Sequence, residues 1–371
     1  MSPRVVVFNN MLTPYTNRLY NAVVERGVDL AILSCTREEP DRDWADAIVP
    51  RYPHKIVPGL SFGKTGSRFT HVNVGIGRAL KALSPDVVIV NGFFPSMLIG
   101  ATWAIAHGKT LALTIDGWRD TMPDTVYHRL ARPWLLNRCE TVICCSHKGQ
   151  DYFLEKGVTA DRLALVPLIA PWDPPVVSPP LAQRPYHLVW VARMNDDCKN
   201  AIFFEEVAVA LKQRIPDLRI RLVGTGVTEQ RMLARFASAG IPVKHDRQLA
   251  WSEMSRPYLE SRLLMLPSLF DCWGLVCNEA MQCGVPCLVS PHVGAADELV
   301  RDGLSGFVRE LDVSRWVEAA SSALSEPARW EALSAAARSD VSEFTIDRAA
   351  EAFVEIVERL AKPDRGLAYG T

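Results

Sequence analysis

The chain has 371 residues, 48% of them hydrophobic and 22% charged, with 41 Lys and Arg against 42 Asp and Glu. That length predicts two domains of ordinary size, each able to bury a core of its own. The net charge of -1 argues against nucleic acid as a partner, since no strong basic excess exists to neutralise phosphates.

The first apolar run, Val5-Val6-Val7-Phe8, is too short for a secretory leader and reads as a first strand. Further strand candidates follow at 30–35, 86–91, 110–116, 141–146 and 163–166. Helical spacing fills 14–26, closed by Gly27, and 71–83. Alternation of this kind predicts a parallel sheet covered on both faces. Between 167 and 185 seven prolines crowd together, which excludes a helix or a central strand and reads as a linker. The alternation then restarts with strands at 187–193, 218–223, 263–267 and 286–290. A long helical stretch from about 327 to 361 is expected to return to the first domain. The expected division is therefore 1–170, a linker at 171–185, a second domain at 186–345, and a C-terminal helix within 346–371. The fold class is α/β, with two Rossmann-like doubly wound parallel sheets. Their strand carboxyl ends are expected to face a cleft, where ligands of such sheets bind. No run reaches the roughly 18 apolar residues of a membrane span. The nine cysteines, several within apolar runs, fit reduced packing residues of a cytoplasmic protein. The first half is mildly basic. That would suit an anionic acceptor or a peripheral contact with a lipid surface, although scatter among solvated side chains is the plainer account.

Two segments concentrate chemistry. In the first, a strand ends at Pro267-Ser268, a loop carries Asp271, and Gly274 opens a helix that contains Glu279 and is closed by Gly284. A helix start after glycine offers free N–H groups and a positive dipole end to a phosphate. Asp271 and Glu279 could each accept hydrogen bonds from vicinal hydroxyls of a ribose or sugar ring. A capped helix with a buried glutamate is the structural alternative, but a buried carboxylate needs a partner. In the second segment, Arg193 follows a strand and Lys199 precedes a helix. Two fixed cations there could neutralise a diphosphate and stabilise its departure. Alone, such a pair is ordinarily solvated surface.

These residues resemble the retaining glycosyltransferases of family 4, which have the GT-B architecture. Pro267-Ser268, Gly274-Leu275, Glu279-Ala280-Met281 and Cys283-Gly284-x-Pro286 stand at the family's spacing. So do Glu298-Leu299-Val300-Arg301-Asp302-Gly303-x-x-Gly306 and, further upstream, Val223-Gly224-Thr225-Gly226. The resemblance covers most of the second half and is weaker in the first. It implies a nucleotide-diphosphate sugar as donor, a glycan, lipid-linked or small-molecule acceptor, and retention of the anomeric configuration. It also implies that Glu279 holds the donor ribose and that Arg193 and Lys199 hold the diphosphate. Gly274 and Leu275 would lend backbone N–H groups, Asp271 would touch the donor sugar, and Gly224, Gly226 and Trp273 would line the donor site. No cofactor and no metal are expected, since two cations and a helix start stand in for one. Three departures matter. Asp271 replaces the motif's first glutamate, Trp273 replaces a phenylalanine, and the family's histidine near the reacting centre is missing. Asn91 and Asp116 are the candidates in its place. Asp116 is favoured for orienting or deprotonating an acceptor hydroxyl, because a carboxylate accepts a proton and an amide does not. The family's first glycine-rich loop is replaced by a segment containing Asn10, Thr13, Pro14 and Tyr15, which become acceptor-side candidates.

Rival readings are fewer. Gly224-Thr225-Gly226 followed by Asp246 suggests a dinucleotide site, but the third glycine position holds Glu229. The spacing of Cys272, Cys277, Cys283 and Cys287 is not that of a zinc knuckle. A nucleotide-sugar epimerase of the same architecture and a non-catalytic nucleotide-sugar binder remain alternatives.

Overall fold

The computed structural model describes residues 3–38, 47–63 and 70–362. The Asp41-x-Asp43 pair, which the sequence places in a polar loop, lies outside them. The chain forms two compact units, one of Met1–Pro167 with Ile346–Thr371, the other of Leu168–Thr345.

The first unit contains β1 (Arg4–Asn9), α1 (Pro14–Glu25), β2 (Asp29–Ser34), β3 (His54–Ile56), β4 (Gly59–Phe62), β5 (Thr70–Asn73) and α2 (Ile76–Leu83). It continues with β6 (Val87–Asn91), α3 (Pro95–Ala106), β7 (Thr110–Ile115), α4 (Val126–Leu136), β8 (Thr141–Cys144), α5 (His147–Glu155) and β9 (Leu163–Leu165). Seven strands form one parallel sheet in the order β3-β2-β1-β6-β7-β8-β9. The order reverses between β1 and β6, the switch point at which such sheets bind ligands. Runs such as Val5-Val6-Val7-Phe8 and Val87-Val88-Ile89-Val90 are fully buried, as expected of strands covered on both faces.

The second unit holds β10 (Tyr186–Val191), α6 (Ala201–Lys212), β11 (Ile220–Val223), α7 (Glu229–Ser238), β12 (Val243–Asp246), α8 (Arg256–Leu259) and β13 (Ser261–Leu266). After these come α9 (Val276–Gln282), β14 (Cys287–Val289), β15 (Gly306–Val308), α10 (Val313–Ser325) and α11 (Pro327–Val341). Its parallel sheet runs β12-β11-β10-β13-β14-β15 and reverses between β10 and β13. The carboxyl ends of those two strands carry the 192–200 and 267–275 loops.

The 71–83 segment, expected to be helical throughout, divides. Residues 70–73 pair with β4 as a hairpin, and only the part after Gly75 is helix. The 327–361 stretch also divides, into α11 and a final helix, α12 (Ile346–Ala361), which lies in the first unit. The proline-rich residues 168–185 hold no helix or strand beyond one 3-10 turn, Leu181–Gln183. They are nonetheless fastened to the second unit. Arg184, fully buried, donates to the carbonyls of Tyr258, Ser261 and Cys283, and Ser178 Oγ donates to Cys283 O. Proline forbids regular hydrogen bonding here without forbidding packing.

All nine cysteines are free thiols, seven of them buried. Among the described residues no helix is long and apolar enough to cross a membrane, and no group of three His, Cys, Asp or Glu side chains is placed to hold a metal.

Candidate functional site

In the second unit the loop after β10 is built around one amide. Asn195 is buried, and its Oδ1 accepts from the N–H groups of Cys198 and Lys199 at 3.3 and 3.0 Å. Asn200 then takes a left-handed conformation, φ 55°, and starts α6. A second brace lies behind. Asp196 accepts from Ile202 N and pairs with Arg231, which also pairs with the buried Glu205. Arg193 and Lys199 therefore stand on a loop whose course is fixed at several points.

The neighbouring strand supports that loop closely. Gly224, at φ 124°, sits so near Ala192 that a Cβ would overlap the Ala192 carbonyl, and Gly226 lies in the same way against Met194 O. Met194 N donates to Thr225 O at 2.9 Å. This gives both glycines a structural purpose, close backbone approach that seats Arg193. Asp246, the ribose ligand of a dinucleotide reading, is paired with the buried Arg221, which leaves that reading without its carboxylate.

Lys199 Nζ pairs with Asp271 Oδ2. Burial works against the Lys199 charge, but Asp271 outweighs it and holds the ammonium above its ordinary range. The two loops are stitched together nearby, Leu269 N donating to Cys198 O at 2.8 Å and Cys198 Sγ to Phe270 O at 3.3 Å. The family resemblance implies a diphosphate for the cation and a sugar for the carboxylate; the fold pairs the two with each other.

Glu279 lies in the first turn of α9 and is 7% exposed. Its Oε2 accepts from the hydroxyl of Tyr258, which is fully buried. Burial pushes the Glu279 carboxyl up to about 7, and the Tyr258 hydrogen bond partly opposes that rise. Tyr258 is the neighbour of Glu279 that sequence reasoning misses. It lies 21 residues upstream on α8, and no local pattern links a tyrosine there to a glutamate on α9. Trp273 is buried and donates through Nε1 to Asn278 Oδ1 at 2.6 Å, so it braces the start of α9 from inside. Gly274 and Leu275 precede the helix, and Gly274 O accepts from Cys277 N.

In the first unit, adjacent strands β1, β6 and β7 bring Asn10, Asn91 and Asp116 to one edge of the sheet. Asp116 is half-buried, burial raises its carboxyl above the ordinary range, and Tyr15 donates to it across a long 3.5 Å. The Asn10 Oδ1 atom is buried and, among the described residues, has no hydrogen-bond partner. Thr13 and Pro14 are occupied in starting α1. Thr13 caps it through a reciprocal pair with Thr16, and Pro14 takes the first helical position.

Comparison with known proteins falls on both units. A family model described as "Glycosyl transferase 4-like domain" matches residues 12–168, and one described as "Glycosyl transferases group 1" matches 185–326. A D-inositol 3-phosphate glycosyltransferase of Thermobispora bispora is 30% identical over 189 residues, 47% of this chain and 44% of that protein. The match thus spans under half the length of that curated relative. A lipopolysaccharide 1,6-galactosyltransferase of Salmonella typhimurium is 21% identical over 276 residues, 73% of each chain. Among solved structures, Anabaena Alr3699/HepE in complex with UDP superposes with a TM-score of 0.76 at 14% identity, over 96% of this chain and 100% of that one.

Proposed function

Because the chain belongs to the group 1 glycosyl transferases, we propose that it moves a sugar from a nucleoside-diphosphate donor to a glycan or lipid-linked acceptor hydroxyl, with retention of the anomeric configuration. The observation that carries this reading is the loop pair of the second unit. Arg193 and an Asp271-held Lys199 stand at one switch-point edge, and Glu279 is a buried carboxylate that accepts from the phenol of Tyr258. As the bond to the anomeric carbon breaks, negative charge grows on the leaving diphosphate. Preorganised cations stabilise that state more than the ground state. Lys199 is suited to this because its charge is already secured by Asp271 and its backbone by Asn195. In this reading Glu279 accepts from the ribose hydroxyls, and Asp271 serves two partners, Lys199 and a donor sugar hydroxyl.

On the acceptor side, Asp116 is the proposed group that orients the incoming hydroxyl and takes its proton. A carboxyl raised by burial is a better base near neutrality than a solvated one. Asn10, whose buried oxygen lacks a partner among the described residues, is the proposed second contact for an acceptor O–H. Arg193 and Lys199 supply the charge that a divalent ion would otherwise bring, so transfer is proposed to need neither metal nor cofactor.

The test uses the purified chain and a panel of nucleotide sugars. Uridine diphosphate sugars come first, since Alr3699/HepE was solved with UDP. Thermal shift reads donor binding, because a donor at 100 times its Kd adds about 2.7 kcal/mol. Release of nucleoside diphosphate, with and without excess chelator, reads turnover. No shift and no release across the panel would overturn the reading. Release that stops with chelator and returns with magnesium would overturn its metal-free part alone.

A further inference from the structure

The β4–β5 hairpin of the first unit is built with its polarity reversed. Its buried face is polar. The Asn73 side chain donates to Cys35 O and Val57 O at 2.8 and 2.6 Å. Ser96 Oγ bonds His71 O and Asn73 Oδ1, each at 2.9 Å, and accepts from Asn73 N. His71 and Ser61 share a further bond at 2.8 Å. Gly59 is required at the start of the hairpin, because a Cβ there would come within 2.5 Å of Asn73 Nδ2 and of Val72 O. β5 is thus held against the body of the unit and carries β4, whose four residues are all exposed.

Its other face is apolar and open. Leu60 pairs across the ladder with Val72, and the two strands leave Leu60, Phe62 and Val72 exposed at 67%, 55% and 41%, with Val74 just beyond at 68%. Strand alternation normally sends such side chains inward and the polar ones out. A rigid, outward apolar cluster marks a surface that works by being covered. The surrounding charge indicates what covers it. Between residues 47 and 85 the sequence has no Asp or Glu and six Lys or Arg, and Lys55, Arg78 and Lys81 are exposed on the elements either side of the hairpin. Apolar side chains projecting from a one-signed basic segment complement a surface that is apolar at depth and anionic at its face.

We propose that this hairpin docks the protein on an anionic lipid bilayer, with Leu60, Phe62, Val72 and Val74 entering the headgroup boundary and Lys55, Arg78 and Lys81 facing the lipid phosphates. The proposal is independent of the donor chemistry. It is tested with the full chain and vesicles of phosphatidylcholine with or without phosphatidylglycerol. Co-sedimentation is expected with the phosphatidylglycerol vesicles and should weaken with added salt. The triple variant Leu60→Ser, Phe62→Ser, Val72→Ser should lose about tenfold or more in vesicle affinity, and Arg78→Glu with Lys81→Glu about fivefold for each cation removed. Amide exchange on the unaltered protein gives a readout that no variant can confuse. Peptides spanning 59–62 and 70–73 should exchange more slowly on phosphatidylglycerol vesicles, while β10 and β13 do not change. The proposal is overturned if the unaltered protein binds neither vesicle. It is equally overturned if the triple variant binds as well as the parent, or if hairpin protection requires only a higher protein concentration, the sign that a second copy covers this face.

Discussion

At the scale of single residues, two groups of side chains make distinct predictions. Arg193 and Lys199 are proposed to act on developing charge. Replacing either with Ala should lower turnover by about 10²- to 10³-fold, as losing one preorganised donor does, and should weaken donor binding much less. Parental turnover in both variants would return them to the status of solvated surface. Glu279 makes a prediction in pH. Its carboxyl is raised from 4.5 to about 7, so its folded form binds a proton more tightly than the unfolded chain does. Its contribution to stability is therefore full below about pH 4.5 and is lost as pH rises through about 7. Glu279→Gln keeps an acceptor for Tyr258 and never carries the charge. It should raise Tm relative to the parent at pH 8, with the gap closing toward pH 5, and yet weaken donor binding at pH 8 by about 1.5–3 kcal/mol. Thermal melts with and without donor at the two pH values read both effects. A variant as tight as the parent in donor binding would remove Glu279 from the site.

At the scale of elements, the loop after β10 depends on its braces more than on its own sequence. Asn195 satisfies two N–H groups, and the Gly224 and Gly226 backbones press against Ala192 and Met194. Gly226→Ala puts a Cβ where Met194 O lies, at a φ of 159°. It should therefore cost about 1–3 kcal/mol in stability and lower turnover further by moving Arg193. Asn195→Ala should leave the fold intact by circular dichroism and reduce turnover, since Lys199 loses its backbone anchor. A variant with unaltered kinetics would show that the loop holds itself. The same elements explain what was readable beforehand. The strands that alternate with helices, such as Val5–Phe8 and Leu263–Leu266, announce themselves because burial on both faces demands unbroken apolar runs. The edge strands β3 and β12 carry His54, Lys55, Lys244 and His245 in exposed or half-buried positions and so lack an apolar run to register. The 71–83 segment reads as one helix because Val72, Ile76, Leu80 and Leu83 fall at spacings of three and four, which carries the period of the true helix back across β5. Arg193, Lys199, Asp271 and Glu279 are legible through their resemblance to the family's motifs, whereas the Tyr258–Glu279 and Asn195–Lys199 contacts exist only in the fold.

At the scale of the whole molecule, the chain leaves its first unit at Pro167, builds the second, and returns at Ile346. The return is substantial. α12 buries Ala349, Ala350, Phe353, Ile356, Val357 and Leu360. Phe353 meets the ring of Tyr20 edge-on at 5.9 Å, Arg26 pairs with Asp347, and Arg359 reaches Thr141 Oγ1 at 3.3 Å. The last helix therefore belongs to the core formed by the first residues, and the second unit is an insertion in the folding sense. Losing one large buried aromatic costs about 3–5 kcal/mol, against a domain stability of about 5–15 kcal/mol. Ending the chain at Thr345 removes Phe353 together with the buried aliphatic side chains Ile356, Val357 and Leu360 and exposes the face of α1. The truncated protein should lose amide protection in β1, α1 and β6, while β10, β11 and β13 keep theirs. Its donor-induced thermal shift should persist, because every proposed donor contact lies within Leu168–Thr345, and transfer to acceptor should be abolished along with the Asp116 edge. Equal loss of protection in both sheets would mean that the two units fold as one cooperative body. Unchanged protection in β1 and α1 would mean that α12 contributes nothing to the core it packs against.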